Sequence, residues 1–174
     1  MKTALFPILI ALVTTTASVR ADSTSVEIKD VHLCCQSCVK GVQAAVKPVT
    51  GVTASCDQDA GTVSLTGPDA ASVQKATDAL VAAGYYGKSS SSDIKVNAST
   101  GAKGEKVQSL KVEGVHLCCG KCVKSVNEAL AKVPGVAGNT ATKGAKSFTV
   151  TGDFKDTDVF DALQKAGLTG HEGS

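Results

Sequence analysis

The sequence predicts an α+β chain built from two copies of one small domain, each running strand-helix-strand-strand-helix-strand, joined by a flexible linker. Three observations predict it. First, His32-Leu33-Cys34-Cys35-Gln36-Ser37-Cys38-Val39 recurs as His116-Leu117-Cys118-Cys119-Gly120-Lys121-Cys122-Val123, and positions 31–52 map onto the second copy by adding 84. Second, matches return with an offset of 83, at Asp78-Ala79-Leu80 against Asp161-Ala162-Leu163 and at Ala83-Gly84 against Ala166-Gly167. Third, apolar residues alternate before each repeated segment and fall at helical spacing after it. A period of this size implies two domains of about 70 residues each rather than one larger one.

The elements follow in order. Residues 1–21 read as a signal peptide: Lys2, an apolar run over 4–13, then Val19-Arg20-Ala21 with cleavage after Ala21. The run falls short of the roughly 20 residues that span a bilayer. Asp22, not cysteine, follows the cut, so a lipid anchor is not indicated and no membrane anchor is expected. Removing Lys2 and Arg20 with the leader leaves 16 basic side chains against 16 acidic ones. No basic patch therefore argues for nucleic acid or an anionic membrane. The expected location is periplasmic or secreted.

The first domain spans 22–88. Residues 25–29 alternate as a strand, matched by 108–112 in the second domain, 107–174. Val39, Val42, Val46 and Val49 make one apolar helix face, repeated by Val123, Val126, Leu130 and Val133. Gly51 and Pro134-Gly135 are the expected helix stops. A hairpin follows with Asp59-Ala60-Gly61 as its turn and Val63 and Leu65 inward, matched by Phe148 and Val150. A second helix carries Val73, Ala76, Leu80 and Ala83, or Val159, Ala162, Leu163 and Ala166. It closes at Gly84 or Gly167 before a last short strand. This order is the ferredoxin-like split motif. Between the copies, residues 89–106, rich in Ser and Gly, read as a flexible linker.

Six of the seven cysteines lie in the two repeated loops. Thiolates are soft ligands, and two spaced C-x-x-C can reach one ion without distorting the chain. Cys35, Cys38, Cys119 and Cys122 are the leading metal-ligand candidates. Cys34 and Cys118 add a third thiol to each loop, although successive side chains in extended backbone point apart. His32 and His116 are candidate imidazole ligands, or lie just behind the ligands. The alternatives are a disulfide in each loop, which export favours, and a redox C-x-x-C, since a thiol at a helix N-terminus is acidified. An odd cysteine count and two three-thiol clusters weigh against pure disulfide pairing.

The remaining residues read more plainly. Cys56 is a small core residue, Tyr85 and Tyr86 are not ligands, and Lys40 and Lys124 are solvated. His171 stands alone in a Gly-rich tail, with no G-x-S-x-G and no phosphate-cradling loop, so no enzyme activity is expected.

A cysteine pair between first strand and first helix of such a domain resembles the heavy-metal-associated domain family. That family includes small copper chaperones, modules of metal-pumping ATPases and an exported mercury scavenger. Its loop is G-M-x-C-x-x-C, which puts Cys35 and Cys38, or Cys119 and Cys122, at the ligand positions. Its Gly-Tyr after the second helix is matched by Gly84-Tyr85, whereas the second copy has Gly167-Leu168. Leu33 and Leu117 replace its methionine, and His32 and His116 its glycine. Some plant zinc-transport modules of the family carry adjacent cysteines but a glutamate at the last ligand position, where this chain keeps Cys38 and Cys122.

The resemblance implies an exported scavenger, buffer or metallochaperone holding one thiophilic ion per domain. Cu(I) comes first, then Zn(II), Cd(II) or Hg(II), and the partner would be a metal-transporting or metal-accepting protein. The rival is an exported thiol–disulfide oxidoreductase or redox sensor using the C-x-x-C pairs.

Overall fold

The first strand, β1 (Thr24–Lys29), opens the part of the chain that the computed structural model describes, residues 23–174. The expected signal peptide lies outside the described residues. After β1 come α1 (Gln36–Val46), β2 (Thr53–Asp57), β3 (Thr62–Gly67), α2 (Ala70–Ala82) and β4 (Lys88–Ser89). The same order runs again as β5 (Lys106–Glu113), α3 (Gly120–Leu130), β6 (Val136–Asn139), β7 (Ser147–Lys155), α4 (Asp156–Lys165) and β8 (His171–Glu172). The strands form two four-stranded antiparallel sheets, ordered β2-β3-β1-β4 and β6-β7-β5-β8. This architecture is consistent with the ferredoxin-like order. No helix among the described residues is long and apolar enough to cross a membrane.

Alternation decides which sheet face is covered. Val26 pairs with Leu65 and Ile28 with Val63, so the apolar residues of β1 and β3 share one face. Onto that face α1 lays Cys38, Val42 and Val46, and α2 lays Val73, Ala76 and Leu80, all buried. In the second half Leu110, Val112, Phe148 and Val150 make the equivalent face, covered by Val126 and Leu130 from α3 and by Val159 and Leu163 from α4. The turn before β3 forms where expected. Asp57 Oδ1 accepts from the N–H groups of Asp59 and Ala60 at 3.0 and 2.9 Å, an Asx turn, and Gly61 has φ 62°.

Two expectations need correction. The helices stop at Val46 and Leu130, well before Gly51 and Pro134-Gly135. Lys47 still has helical backbone and donates to Gln43 O at 3.0 Å, but Pro48 has no N–H with which to continue the ladder, and after α3 the chain tightens into turns from Lys132 to Ala129 and Val133 to Leu130. Val49 and Val133 therefore reach the core from turns rather than from a helix face. The second correction concerns the linker. Residues 90–105 hold no helix or strand, but they are not a free tether. Ile94 is buried, and Lys95 exchanges two 2.8 Å bonds with the side chain of Gln74 on α2. Further on, the N–H groups of Lys103 and Gly104 each donate to the Asp156 carboxylate at 2.8 Å. The segment is a strap pinned to one helix of each half.

The two halves also touch directly, through positions that the repeat makes equivalent. Gly84 O accepts from Thr169 N at 3.0 Å, and Gly167 O accepts from Tyr86 N at 3.1 Å. Tyr85 and Leu168 form an antiparallel bridge between these bonds. A Cβ at Gly84 would run into Gly114 O and His116 N, and one at Gly167 into the matching Asp30 O and His32 N. Both glycines have positive φ, 86° and 76°, so they end α2 and α4 and admit the opposite backbone at once. The halves thus meet about an approximate two-fold axis.

Asp156 gives the strap a pH signature. Burial alone would raise its carboxyl, but the N–H groups of Lys103, Thr157 and Gly104 outweigh that and hold it below its usual value. A depressed carboxylate contributes stability above its unfolded pKa and loses it as pH falls through the folded one. Asp156→Ala should therefore destabilise the chain by on the order of 2 kcal/mol in neutral denaturant unfolding. It should also speed hydrogen exchange at residues 103–104. Unchanged exchange there would show that the strap is held by other contacts.

Candidate metal centre

Each thiol loop is aimed by the two apolar residues that flank its histidine. Val31 and Leu33, like Val115 and Leu117, are buried in their own half. The chain leaves β1 through Asp30 at φ 62° and β5 through Gly114 at φ 80°, then turns into a helix. Cys35 and Cys119 stand at the helix N-caps in extended backbone, and no side-chain oxygen caps either helix. The free amides of the first turns therefore face sulfur, and no acidic side chain lies in either first turn. Cys38 and Cys122 sit one turn in and are fully buried.

Because the halves meet at Gly84 and Gly167, the two helix starts confront each other and all six loop thiols converge. Across the halves, Cys34 Sγ lies 3.4 Å from Cys119 and 3.5 Å from Cys122. Cys35 lies 3.7 Å from Cys119 and 3.9 Å from Cys118. Cys38 lies 3.6 Å from Cys118 and 3.9 Å from Cys122. Within each loop the first and last thiols are 3.6 Å apart. The expected separation into one thiol site per domain is thus corrected: the sulfurs form one shared cluster. Cys34 and Cys118, ranked behind the C-x-x-C pairs, belong to it as well, partly buried like Cys35 and Cys119. All seven cysteines are free thiols. Cys56 stands apart, half-buried against the core, where burial pushes its thiol up.

The two histidines, equivalent in sequence, differ in surroundings. Tyr85 Oη donates to Cys38 O at 2.8 Å and lies 3.0 Å from His116 Nε2. Its one proton is committed to the carbonyl, so His116 Nε2 carries the hydrogen and donates. The rings stack with centroids 4.5 Å apart. That nitrogen is therefore not free to bind metal, and His116 lies behind the cluster. In the repeat, Leu168 takes the place of Tyr85 and has no hydroxyl. His32 accordingly has Nδ1 3.4 Å from Ser125 Oγ and a buried Nε2 with no partner. A ring nitrogen of His32, Cys34 Sγ and Cys122 Sγ lie within 4.8 Å of one another. The supporting residues differ in step: Gly41 leaves room that a Cβ would take from Tyr85 Oη, and its counterpart is Ser125.

Sequence reading missed these supports. It also missed Lys121, whose Nζ donates to Cys34 O across the halves at 3.4 Å. None could be found from spacing within one copy, because Tyr85, Ser125 and Lys121 each reach the other copy and Gly41 matters only through Tyr85. Lys124 pairs instead with Glu128 at 3.7 Å on the surface.

Six thiols this close cannot all ionise without compensating charge. Burial pushes Cys34 up, and burial likewise brings Cys118 to about 12. Cys38 is held low because the Cys122 thiol donates to it, and the same bond pushes Cys122 up. Cys119 sits at about 6, lowered first by the N–H of Cys122 in the helix's first turn. The centre thus mixes thiolates with thiols whose protons a cation would displace. Its donors are soft, closely spaced and joined by an unpartnered imidazole nitrogen, which fits a thiophilic metal held by Cys34, Cys35, Cys38, Cys118, Cys119 and Cys122.

No family model and no curated protein matches this sequence. Solved structures with similar folds include a copper-binding domain from HMA7, a P-type ATPase, at 24% identity, covering 39% of this chain and 96% of that one, with TM-score 0.36. The PacS N-terminal domain from Synechocystis PCC6803 is 23% identical over 39% of this chain and 100% of that one, with TM-score 0.36. The N-terminal soluble domains of Bacillus subtilis CopA are 16% identical over 87% of this chain and 95% of that one, with TM-score 0.34. At these scores the likenesses carry no assignment of function, which rests on the thiols.

The proton distribution can be read by alkylation. A lowered pKa keeps the anion until pH falls through it, so Cys119 should be the most reactive accessible thiol at pH 7, with Cys34 and Cys118 slow. Peptide mapping after brief iodoacetamide treatment of reduced, metal-free protein should show that order, and the preference should fade by pH 5. Equal labelling of Cys34 and Cys119 at pH 7 would contradict it.

Proposed function

We propose that the chain is an exported soft-metal-binding protein that scavenges, buffers or hands on Cu(I). It holds the metal at one centre shared by two heavy-metal-associated-type domains. The observation that carries this reading is the convergence of six thiols from two loops with sulfur–sulfur distances of 3.4 to 3.9 Å. An all-thiolate set favours Cu(I), with Zn(II), Cd(II) and Hg(II) as competitors. The chain's own residues supply two things. The cysteines bind, and the first turns of α1 and α3 stabilise the anionic sulfurs. Loop residues at a contact between halves allow an incoming ligand to exchange with a thiolate, as delivery to a metal-transporting protein needs. The leader directs the chain to the periplasm or outside the cell, and the centre acts without catalysis.

One observation favours the oxidoreductase instead: Cys119 near 6 is a suitable attacking thiol. Against it, neither C-x-x-C stands as an isolated dithiol, since thiols of the other loop lie 3.4 to 3.9 Å from each pair.

Titration of anaerobically reduced protein with Cu(I) against a competing chelator should show saturable binding. Cys35→Ser and Cys119→Ser should each weaken retention at the whole centre, by more than the roughly 10–100-fold typical of an outer-shell loss. If the metal each variant still bound were held as tightly as in the unaltered chain, the sites would be separate. Absence of saturable binding, together with metal-independent reduction of insulin lost in Cys119→Ser, would make the oxidoreductase the better reading.

A further inference from the structure

The six sulfurs have a definite polyhedral arrangement. Ten pairs are in contact at 3.4 to 3.9 Å. Two more, Cys34 with Cys35 and Cys118 with Cys119, lie within 4.8 Å. The three pairs left over are Cys34 with Cys118, Cys35 with Cys122, and Cys38 with Cys119. With those three pairs as opposite vertices, the twelve close pairs have the connectivity of an octahedron.

An octahedron has four alternating faces that share no edge, and every vertex belongs to two of them. Here these are Cys34-Cys35-Cys119, Cys35-Cys38-Cys118, Cys118-Cys119-Cys122 and Cys34-Cys38-Cys122. The first three are three-ligand groups in their own right, and the fourth has edges of 3.6, 3.5 and 3.9 Å. A metal–sulfur bond of about 2.3 Å to an ion centred on such a face spaces its sulfurs about 4 Å apart. Any four vertices of an octahedron include an opposite pair, so no four sulfurs are mutually adjacent. The sulfurs alone therefore offer three-coordinate positions and no all-thiolate tetrahedral one, which suits Cu(I) better than a four-cysteine Zn(II) site.

Resting on the Cu(I)-binding reading above, we propose that the chain assembles one tetranuclear Cu(I)–thiolate cluster, with one ion on each of those four faces and every cysteine bridging two ions. The counting closes: four ions with three bonds each need twelve, and six sulfurs with two bonds each supply twelve. Six thiolates and four Cu(I) leave two negative charges. These lie between two helix N-termini, each equivalent to about half a positive charge, and close to Lys121. Three faces draw on both halves, so a half alone cannot build the cluster.

Native mass spectrometry of the reduced full chain, titrated anaerobically with Cu(I), tests this. Four ions per chain should accumulate at the expense of two and three, with the metal–metal scattering in X-ray absorption that bridged Cu(I) requires. Cys34→Ser and Cys118→Ser each remove a vertex of two faces, so each should cap loading near two ions. Circular dichroism of the metal-free variants would confirm that they fold, and Cys56→Ser should leave four. Loading that stops at two ions without metal–metal scattering would overturn the cluster and leave Cu(I) binding standing. Failure to bind Cu(I) at all would overturn both readings.

Discussion

Two glycine carbonyls, at Gly84 and Gly167, hold the halves of the chain mouth to mouth, and the candidate centre depends on that contact. A side chain at either position would meet the opposite backbone, so the approach is available only to glycine. The consequence is electrostatic. It sets the starts of α1 and α3 facing one another across a small space, and two like helix ends repel unless an anion lies between them. Thiolate sulfur meets that demand, and cysteine occupies the N-cap positions where Ser or Asp would ordinarily stand.

Much of the fold was legible because the repeat states it twice. Val26, Ile28, Val63 and Leu65 alternate in sequence and share a face in space. The apolar spacing around Val42 and Val126 put both first helices onto their sheets. Helix ends were less legible, since Gly51 and Gly135 mark the turn into the next strand while the helices yield earlier. The strap misled for a related reason. Its Ser and Gly content suits a coil, yet Ile94 and Asp156 fix it through burial and backbone bonds that composition does not encode.

The thiols that converge were legible and their relation was not. Spacing within one loop shows which thiols can reach an ion, but nothing along the chain says that an offset of 84 superposes two loops about an axis passing between them. The same gap hid the asymmetry of the histidines. Tyr85 against Leu168 and Gly41 against Ser125 are visible as differences between copies. They acquire meaning only when Tyr85 is seen to serve His116 of the opposite half. Gly41 and Tyr85 fit together within one half, and the hydroxyl so placed reaches the histidine of the other.

The strap from β4 to β5 has one more consequence. Joining both thiol loops in one chain makes their encounter intramolecular, with an effective concentration set by tether length rather than by how much protein is present. Two separate chains pairing through such loops would come apart on dilution and release whatever they held. Here the partner loop travels with the first, pinned at Gln74 and Asp156, so the six thiols stay together at any abundance of the chain.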